Sequence, residues 1–307
     1  MPTLTTYRQT GARHLGQYQS GTFASSGNST TTGVDTSLIS SMSIDNLYDD
    51  YWICLPAAAT AANRASRRIT TFTKGSGTLT WDRALSGATI PDSAAYELHG
   101  LLPMEDWTTA FNDALKLIMV ATEITLTPTA SAKRHDITTA NTWLTNPASI
   151  RQIGYLQSNE TRANESPYTS GRLIRGWADT DGATVYINHP TRTVASGETW
   201  YLRVVKPAYY HCTATGGSFG SQSGLSAESD EAPVDADYLA WAGMAMAFSQ
   251  GRLDFGSDAD PQLQGKRQEA IRMASRYARE FDPTQREDTT LKFTKANIHF
   301  GPIGFRR

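Results

Sequence analysis

The stretch WTTAFNDALKLIMV, residues 107–120, decides the fold of this chain. Its apolar residues recur at i, i+3, i+4 and i+7, which places them on one face of a helix: Trp107, Ala110, Phe111, Ala114, Leu115, Ile118 and Met119. Just upstream, Pro103 is tolerated in a first helical turn, where Glu105 and Asp106 suit the helix dipole. We therefore predict an amphipathic helix whose apolar face packs on a core.

The sequence before this helix is of β type. Aromatic and β-branched runs at residues 51–55, 67–73, 78–81 and 95–98 are separated by turn residues, as in short strands. Residues 1–45 are rich in Thr, Ser and Gly and too polar to pack alone. We predict an N-terminal β domain over residues 1–100 that carries an extended polar arm.

Strand patterns return after the helix. They occupy residues 150–156, 173–177, 185–187 and 200–205, and Asp181-Gly182 between two of them favours a tight hairpin. Residues 213–229 are rich in Gly and Ser and are expected to be a flexible connection. The prediction for residues 123–229 is an inserted antiparallel β-sandwich or barrel with a linker.

Two more helices follow the insertion. Residues 235–250 are apolar nearly all round, and residues 260–282 are bounded by Asp-Pro at each end. With residues 101–122, residues 230–283 should form a helical bundle, and residues 284–307 an extended tail. The predicted fold class is therefore α+β: a helical bundle with a large antiparallel insertion, preceded by a small β domain.

Charge is segregated along the chain, although the formal total is only −2 and excludes a general basic surface for nucleic acid or membrane. Residues 225–260 hold eight acidic positions and one arginine, whereas residues 261–307 hold ten basic positions and five acidic ones. The residues of interest are an arginine stripe, Arg272, Arg276 and Arg279, and the acidic Asp230, Glu231 and Asp235. Two interpretations stay open: solvated faces, or contacts between copies of the chain.

No motif for catalysis, a cofactor or a metal stands out. Gly216–Gly220 matches the nucleophile-elbow pattern but lacks the helix that must follow it. His211 and Cys212 are sequence neighbours that a strand would point to opposite faces, which favours a surface histidine and a core cysteine. The two cysteines cannot form a disulfide framework. We predict no catalytic, cofactor-binding or metal residue, although a paired-carboxylate glycosidase leaves no local motif and stays a weak alternative.

The chain has neither the apolar core of a signal peptide at its start nor a run of roughly 20 apolar residues anywhere. We expect a soluble protein, made in a cytoplasm, that does not enter a membrane.

The layout resembles the head-to-tail connector proteins of tailed bacteriophages, also called adaptor or neck ring proteins. The resemblance is carried by the helix at residues 107–120, the insertion ending in GETWYLRV at residues 197–204, and the helices at 238–250 and 268–281. Residues 67–81 and 95–98 also resemble a β module of phage structural proteins. The resemblance to connector proteins is one of overall layout and includes no short sequence motif.

The resemblance implies a non-enzymatic virion protein at the head-tail junction. It would form a ring of about twelve copies under the portal protein, attached below to a stopper or tail protein, with viral DNA passing through in transient, non-specific contact. The C-terminal tail would contact the portal. Its candidate portal-binding residues are Phe293, Lys295, Phe300, Phe305, Arg306 and Arg307.

Two other function classes stay open. The β content and Trp143, Trp177 and Trp200 would suit a tail fibre or baseplate protein that binds host surface glycans. Against it stand three helices with clear boundaries and the lack of an internal repeat. The third class is a hydrolase of cell wall or glycans, which should show turnover on a polysaccharide.

Overall fold

The computed structural model describes residues 1–16, 18–39, 43–58, 60–86, 90, 93–129, 132–138, 152–158, 177–181, 184–188, 199–214, 217, 220, 222–253 and 261–281. Across these residues the chain forms five α-helices, one six-stranded antiparallel sheet and two three-stranded sheets. This mixture of helix and sheet confirms the predicted α+β class.

The elements are as follows. The helices are α1 (Leu4–Leu15), α2 (Ala61–Arg64), α3 (Met104–Leu117), α4 (Ala236–Ser249) and α5 (Pro261–Phe281). The strands are β1 (Tyr18–Thr22), β2 (Thr32–Val34), β3 (Trp52–Cys54), β4 (Arg67–Thr73), β5 (Thr78–Trp81), β6 (Ala95–His99), β7 (Met119–Leu126), β8 (Arg134–Asp136), β9 (Gln152–Ser158), β10 (Trp177–Asp181), β11 (Thr184–Asn188) and β12 (Trp200–Pro207). Single turns of 3₁₀-helix lie at Thr36–Leu38 and Ala208–His211.

One apolar core is built by α1, α3, α4 and α5. Helix α3 buries the predicted face, including Trp107 and Phe111, and α4 is buried on nearly every side. Helices α3 and α4 cross closely at Gly243, where a Cβ would lie 2.3 Å from Cδ1 of Phe111. The helices at residues 235–250 and 260–282 are thus confirmed to within about one residue at each end.

The second core lies in the six-stranded sheet, whose strand order is β1-β6-β3-β4-β5-β2. Phe23, Phe72, Trp81 and Tyr96 are among its buried side chains. The amide of Ala24, just after β1, donates to the carbonyl of Val34 at 2.7 Å. The two outer strands of the sheet therefore meet at this end.

The strands after α3 leave the helical core and return to it at one place. Strands β7 and β12 pair antiparallel over eight residues, from Met119 opposite Pro207 to Leu126 opposite Trp200. Where they join the helices, the Ala208 amide donates to the Ile118 carbonyl at 2.8 Å. Strand β9 lies on the other side of β12, and β8, β10 and β11 form a separate sheet. Strands β10 and β11 pair antiparallel up to Asp181 opposite Thr184, so the two strands of the predicted hairpin are present, but Asp181 belongs to β10 and not to the turn.

Helix α1 contradicts the polar arm predicted within residues 1–45. Thr3 caps the helix by accepting from the Thr6 amide, and Leu4, Tyr7 and Leu15 are buried. Polar residues and Gly11 dilute this periodicity, but Gly11 is needed because a Cβ there would lie 2.8 Å from the Trp107 ring. At the other end of the predicted pattern, α3 stops at Leu117, and Met119 and Val120 belong to β7.

The segment expected to be a flexible connection is packed where the structure describes it. Leu225 is buried, and its backbone forms hydrogen bonds in both directions with the Asn112 side chain, at 2.7 and 2.9 Å. Further on, the carbonyls of Glu228 and Asp230 accept from the amides of Thr5 and Leu4. We name residues 226–234 the strap, because they cross the start of α1.

None of the helices in the described ranges is both long and apolar enough to cross a membrane.

Candidate functional site

The three arginines of α5 point away from the rest of the described chain. We name Arg272, Arg276 and Arg279 the arginine face; all three are exposed. None of them forms an ion pair with a described residue; Nε of Arg279 donates to the Ser275 carbonyl at 3.3 Å. The periodicity explains their position, since residues at i, i+4 and i+7 share one side of a helix.

The opposite side of α5 is anchored by aromatic rings. Tyr277 stacks on Tyr238 of α4 with ring centroids 5.9 Å apart, and on Phe281 at 5.8 Å. Ala270 is fully buried, whereas Ile271 and Phe281 are 48% and 45% exposed. The helix thus has one attached side, and its arginine face is exposed among the described residues.

The acidic residues expected at ring contacts occupy three different environments. Asp230 is buried; its carboxylate accepts from the amides of Ser226 and Ala227, each at 2.7 Å. Burial would raise its pKa, but these bonds lower it below its usual value. Glu231 is half-buried and pairs through its backbone with Thr213. Asp235 is exposed and caps α4. Asp230 is therefore occupied within its own chain, and Asp235 is the most accessible of the three.

A buried ionic network that local sequence does not reveal joins α1 to the sheet and the strap. Arg8 is fully buried; its Nε lies 2.8 Å from Glu97 Oε2, and its Nη2 lies 2.7 Å from Glu228 Oε2. Gln9 Nε2 donates to Glu97 Oε1 at 2.9 Å, and His99 Nε2 lies 3.1 Å from Glu97 Oε2. Ion pairs therefore join three segments that are distant in the sequence: α1 through Arg8, β6 through Glu97 and the strap through Glu228.

The ionisation states in this network follow from its contacts. Burial would raise the pKa of Glu97, but hydrogen bonds from His99 and Arg8, with the charge of Arg8, lower it to about 2. Burial would likewise lower the pKa of Arg8, but its bonds to Glu97 and Glu228 raise it above its usual value. Both groups therefore stay charged at neutral pH.

A cleft of about 550 Å³ opens beside this network. Its lining includes Gln9, Ser20, Ala57, Tyr96 and Glu228. The carboxylate of Glu228, whose side chain is 23% exposed, already accepts from Arg8 and from Thr5 Oγ1 at 2.6 Å. The side chains of Gln9, Tyr96 and Glu228 in this lining therefore already form hydrogen bonds within the chain.

Two buried basic residues, Lys206 and His211, lie where β12 meets the helices. Burial lowers the pKa of Lys206 to about 7. Burial, together with the charge of Lys206, lowers the pKa of His211 to about 3. The expectation of a surface histidine at residue 211 was wrong, because the backbone after β12 turns into the core as a 3₁₀ turn; Cys212 is buried as expected.

The remaining candidates from the sequence are placed as follows. The portal-binding tail, residues 284–307 with Phe293, Lys295, Phe300, Phe305, Arg306 and Arg307, lies outside the described residues. So do Trp143 and the side chain of Trp177. Trp200 is fully buried against His135, with ring centroids 4.9 Å apart, so it is not available to stack on a glycan.

Comparisons with protein families, with curated proteins and with solved structures find no match to this chain.

Proposed function

We propose that this protein is a structural, non-enzymatic subunit of the head-to-tail connector of a tailed bacteriophage. About twelve copies would form a ring between the portal protein and a stopper or tail protein, at the head-tail junction of the virion. DNA would pass through the ring in transient, non-specific contact. In this proposal the four-helix core acts as the bundle of the ring, and the strands between residues 119 and 207 form a sandwich or barrel inserted in it.

The arginine face is the observation that carries the proposal. The three arginines lie along one side of α5 and are exposed, and none has a carboxylate partner among the described residues. Such a side is suited to a surface that binds another molecule. A ring uses two different patches of each subunit, so a basic face on one copy can pair with acidic groups on the next. Asp235 and Asp237, exposed or half-exposed at the start of α4, offer such groups.

The order of helices and strands along the chain also supports the connector proposal, independently of the arginine face. A structural insertion is expected to leave and re-enter its host domain at adjacent points. Strands β7 and β12 do so between α3 and α4, paired along their whole length. This is the layout on which the resemblance to connector proteins rests.

Charge reversal tests the proposal directly. The variant Arg272→Glu, Arg276→Glu, Arg279→Glu should keep the melting temperature of the wild type but lose the ring, measured as particle mass in solution. The matched control reverses Lys74, Arg83 and Lys133, so that the same change in net charge is made elsewhere. All three lie outside the helices; Arg83 and Lys133 are exposed, and Lys74 is partly exposed. The proposal is wrong if both triple variants assemble like the wild type, or if both lose assembly equally.

Gold-labelled antibody on phage particles tests the location. Label at the single vertex where head meets tail is expected. Label on distal fibres would support the attachment protein, and intact particles without label would contradict a virion protein.

A further inference from the structure

Strand β1 is one outer strand of the six-stranded sheet, and part of its backbone is left without hydrogen bonds. The Phe23 amide donates to the Ala94 carbonyl at 3.0 Å, and β1 pairs with β6 without a register shift. In such a pair, residues that bond to the partner strand alternate with residues whose amide and carbonyl point the other way. Ser20 and Thr22 are of the second kind. Their amides and carbonyls therefore point away from β6, and they have no hydrogen-bond partner among the described residues.

The other outer edge of the sheet, at β2, is closed by its own chain. Thr32 donates its amide to Ser29 Oγ at 3.0 Å and accepts from the Ser29 amide at 2.9 Å. Val34 donates its amide to Asn28 Oδ1 at 3.0 Å and accepts from the Ala24 amide at 2.7 Å. Within the described residues β1 has no such cover, and its sequence YQSGT lacks the charged residue or proline that commonly protects an edge strand. The edge of β1 is therefore open to a further strand.

The cleft of about 550 Å³ lies beside this edge, since residues 20–22 of β1 are part of its lining. Glu97 and Glu228 are the ionisable carboxylates of the described lining, which contains no lysine, arginine or histidine. With Arg8 behind them, the three groups carry one net negative charge. Glu228 accepts three hydrogen bonds, from Arg8 Nη1, Arg8 Nη2 and Thr5 Oγ1. A carboxylate can accept roughly four, so Glu228 has room for one further donor, and the charge favours a cation.

We propose that the open edge of β1 binds an extended segment of a neighbouring protein of the head-tail junction, from which a lysine or arginine side chain reaches Glu228. The inference rests on the proposed connector function, which brings other proteins against each subunit. The segment would add a strand to the sheet and form up to four backbone hydrogen bonds with Ser20 and Thr22. Its basic side chain would balance the net charge of the cleft, whereas an acidic segment would be repelled.

Hydrogen exchange tests the added strand, with the full-length protein free in solution and in purified phage particles. Fragmentation mass spectrometry reads the exchange at single amides. In the free protein, the amides of Ser20 and Thr22 should exchange fast, whereas those of Gln19 and Gly21, which bond to β6, should be protected. In particles, the amides of Ser20 and Thr22 should exchange at least about 100-fold more slowly. Exchange at the free rate in particles that contain the protein would overturn this inference and leave the connector proposal standing. Particles without the protein would overturn both.

Two pairs of variants separate a strand contact from any other contact at this place. Proline in Ser20→Pro removes an amide hydrogen that β6 does not use, and edge strands tolerate proline. Ser20→Pro should keep the melting temperature but lower the yield of joined heads and tails by roughly tenfold, whereas Ser20→Ala should leave that yield unchanged. Thr22→Lys should lower the yield because it repels a basic segment, and Thr22→Glu should not.

The Thr22 pair leaves the backbone unchanged, so it decides the question if the proline variant fails to fold. The inference is overturned if a folded Ser20→Pro variant joins heads and tails like the wild type, or if Thr22→Glu is as harmful as Thr22→Lys.

Discussion

Replacing Glu97 by Gln should destabilise the protein in a pH-dependent way. The pKa of Glu97 is lowered from 4.5 in the unfolded reference to about 2 in the fold. This difference corresponds to about 3 kcal/mol of folding free energy near neutral pH, since each pKa unit is worth about 1.4 kcal/mol. Glu97 is buried, so solvent screening does not reduce this value greatly.

The sign follows from the direction of the shift. A carboxyl with a lowered pKa in the fold stabilises the protein above its unfolded pKa, and this contribution is lost as pH falls from about 4.5 towards 2. At pH 3 about 1.4 kcal/mol should remain, by linkage between the two pKa values. The stability gap between wild type and Glu97→Gln should therefore narrow by about 2 kcal/mol from pH 7 to pH 3.

Urea unfolding of both proteins at several pH values measures this gap. Glu280→Gln is the matched control: Glu280 is exposed on α5, so its gap to wild type should be small at every pH. A Glu97→Gln gap that does not change with pH, or a variant as stable as wild type at pH 7, would refute the reasoning. Either result would mean that burying these charges costs as much as their pairing contributes.

Three further predictions concern the helices and the tail. Tyr7→Phe should lower the free energy of unfolding by about 1–3 kcal/mol in urea melts, because the Tyr7 hydroxyl lies 2.9 and 2.8 Å from two strap carbonyls that would lose it. Gly243→Ala should cost about 1–3 kcal/mol by the same measurement, since the added methyl overlaps the Phe111 ring; an unchanged midpoint would contradict this close crossing. Deleting residues 284–307 should leave the melting temperature unchanged but abolish joining of heads to tails in an assembly assay, and infectious particles built with the truncated protein would contradict a portal-binding role.

The helices were predictable where periodicity was strong. Helices α3, α4 and α5 have clear apolar faces or boundaries, and each lies close to its predicted place. Helix α1 was missed because its stability comes from distant partners: Leu4 and Thr5 donate their amides to the strap, more than 200 residues away. Residues 213–229 were misjudged for the same reason, since composition suggests flexibility but Asn112 fixes Leu225.

The two candidate sites also differ in whether local sequence reveals them. The arginine face was visible because i, i+4 and i+7 spacing is local. The network around Arg8 was not, because Arg8, Glu97 and Glu228 are joined only by tertiary structure. Glu97 and His99 offered one weak signal, two polar residues in alternation on a strand whose other face is apolar.

The position of the strap also determines when the start of the chain can complete its folding. Tyr7 bonds to a carbonyl 225 residues later, so during synthesis α1 emerges from the ribosome long before its partner exists. At about 5–20 residues per second, the wait is roughly 10–45 s. Once residue 99 has been made, the six-stranded sheet has all its strands and can form, whereas the apolar side of α1 still lacks its final cover. Helix α1 is therefore made before the sheet, but it can be secured only after the sheet has all its strands.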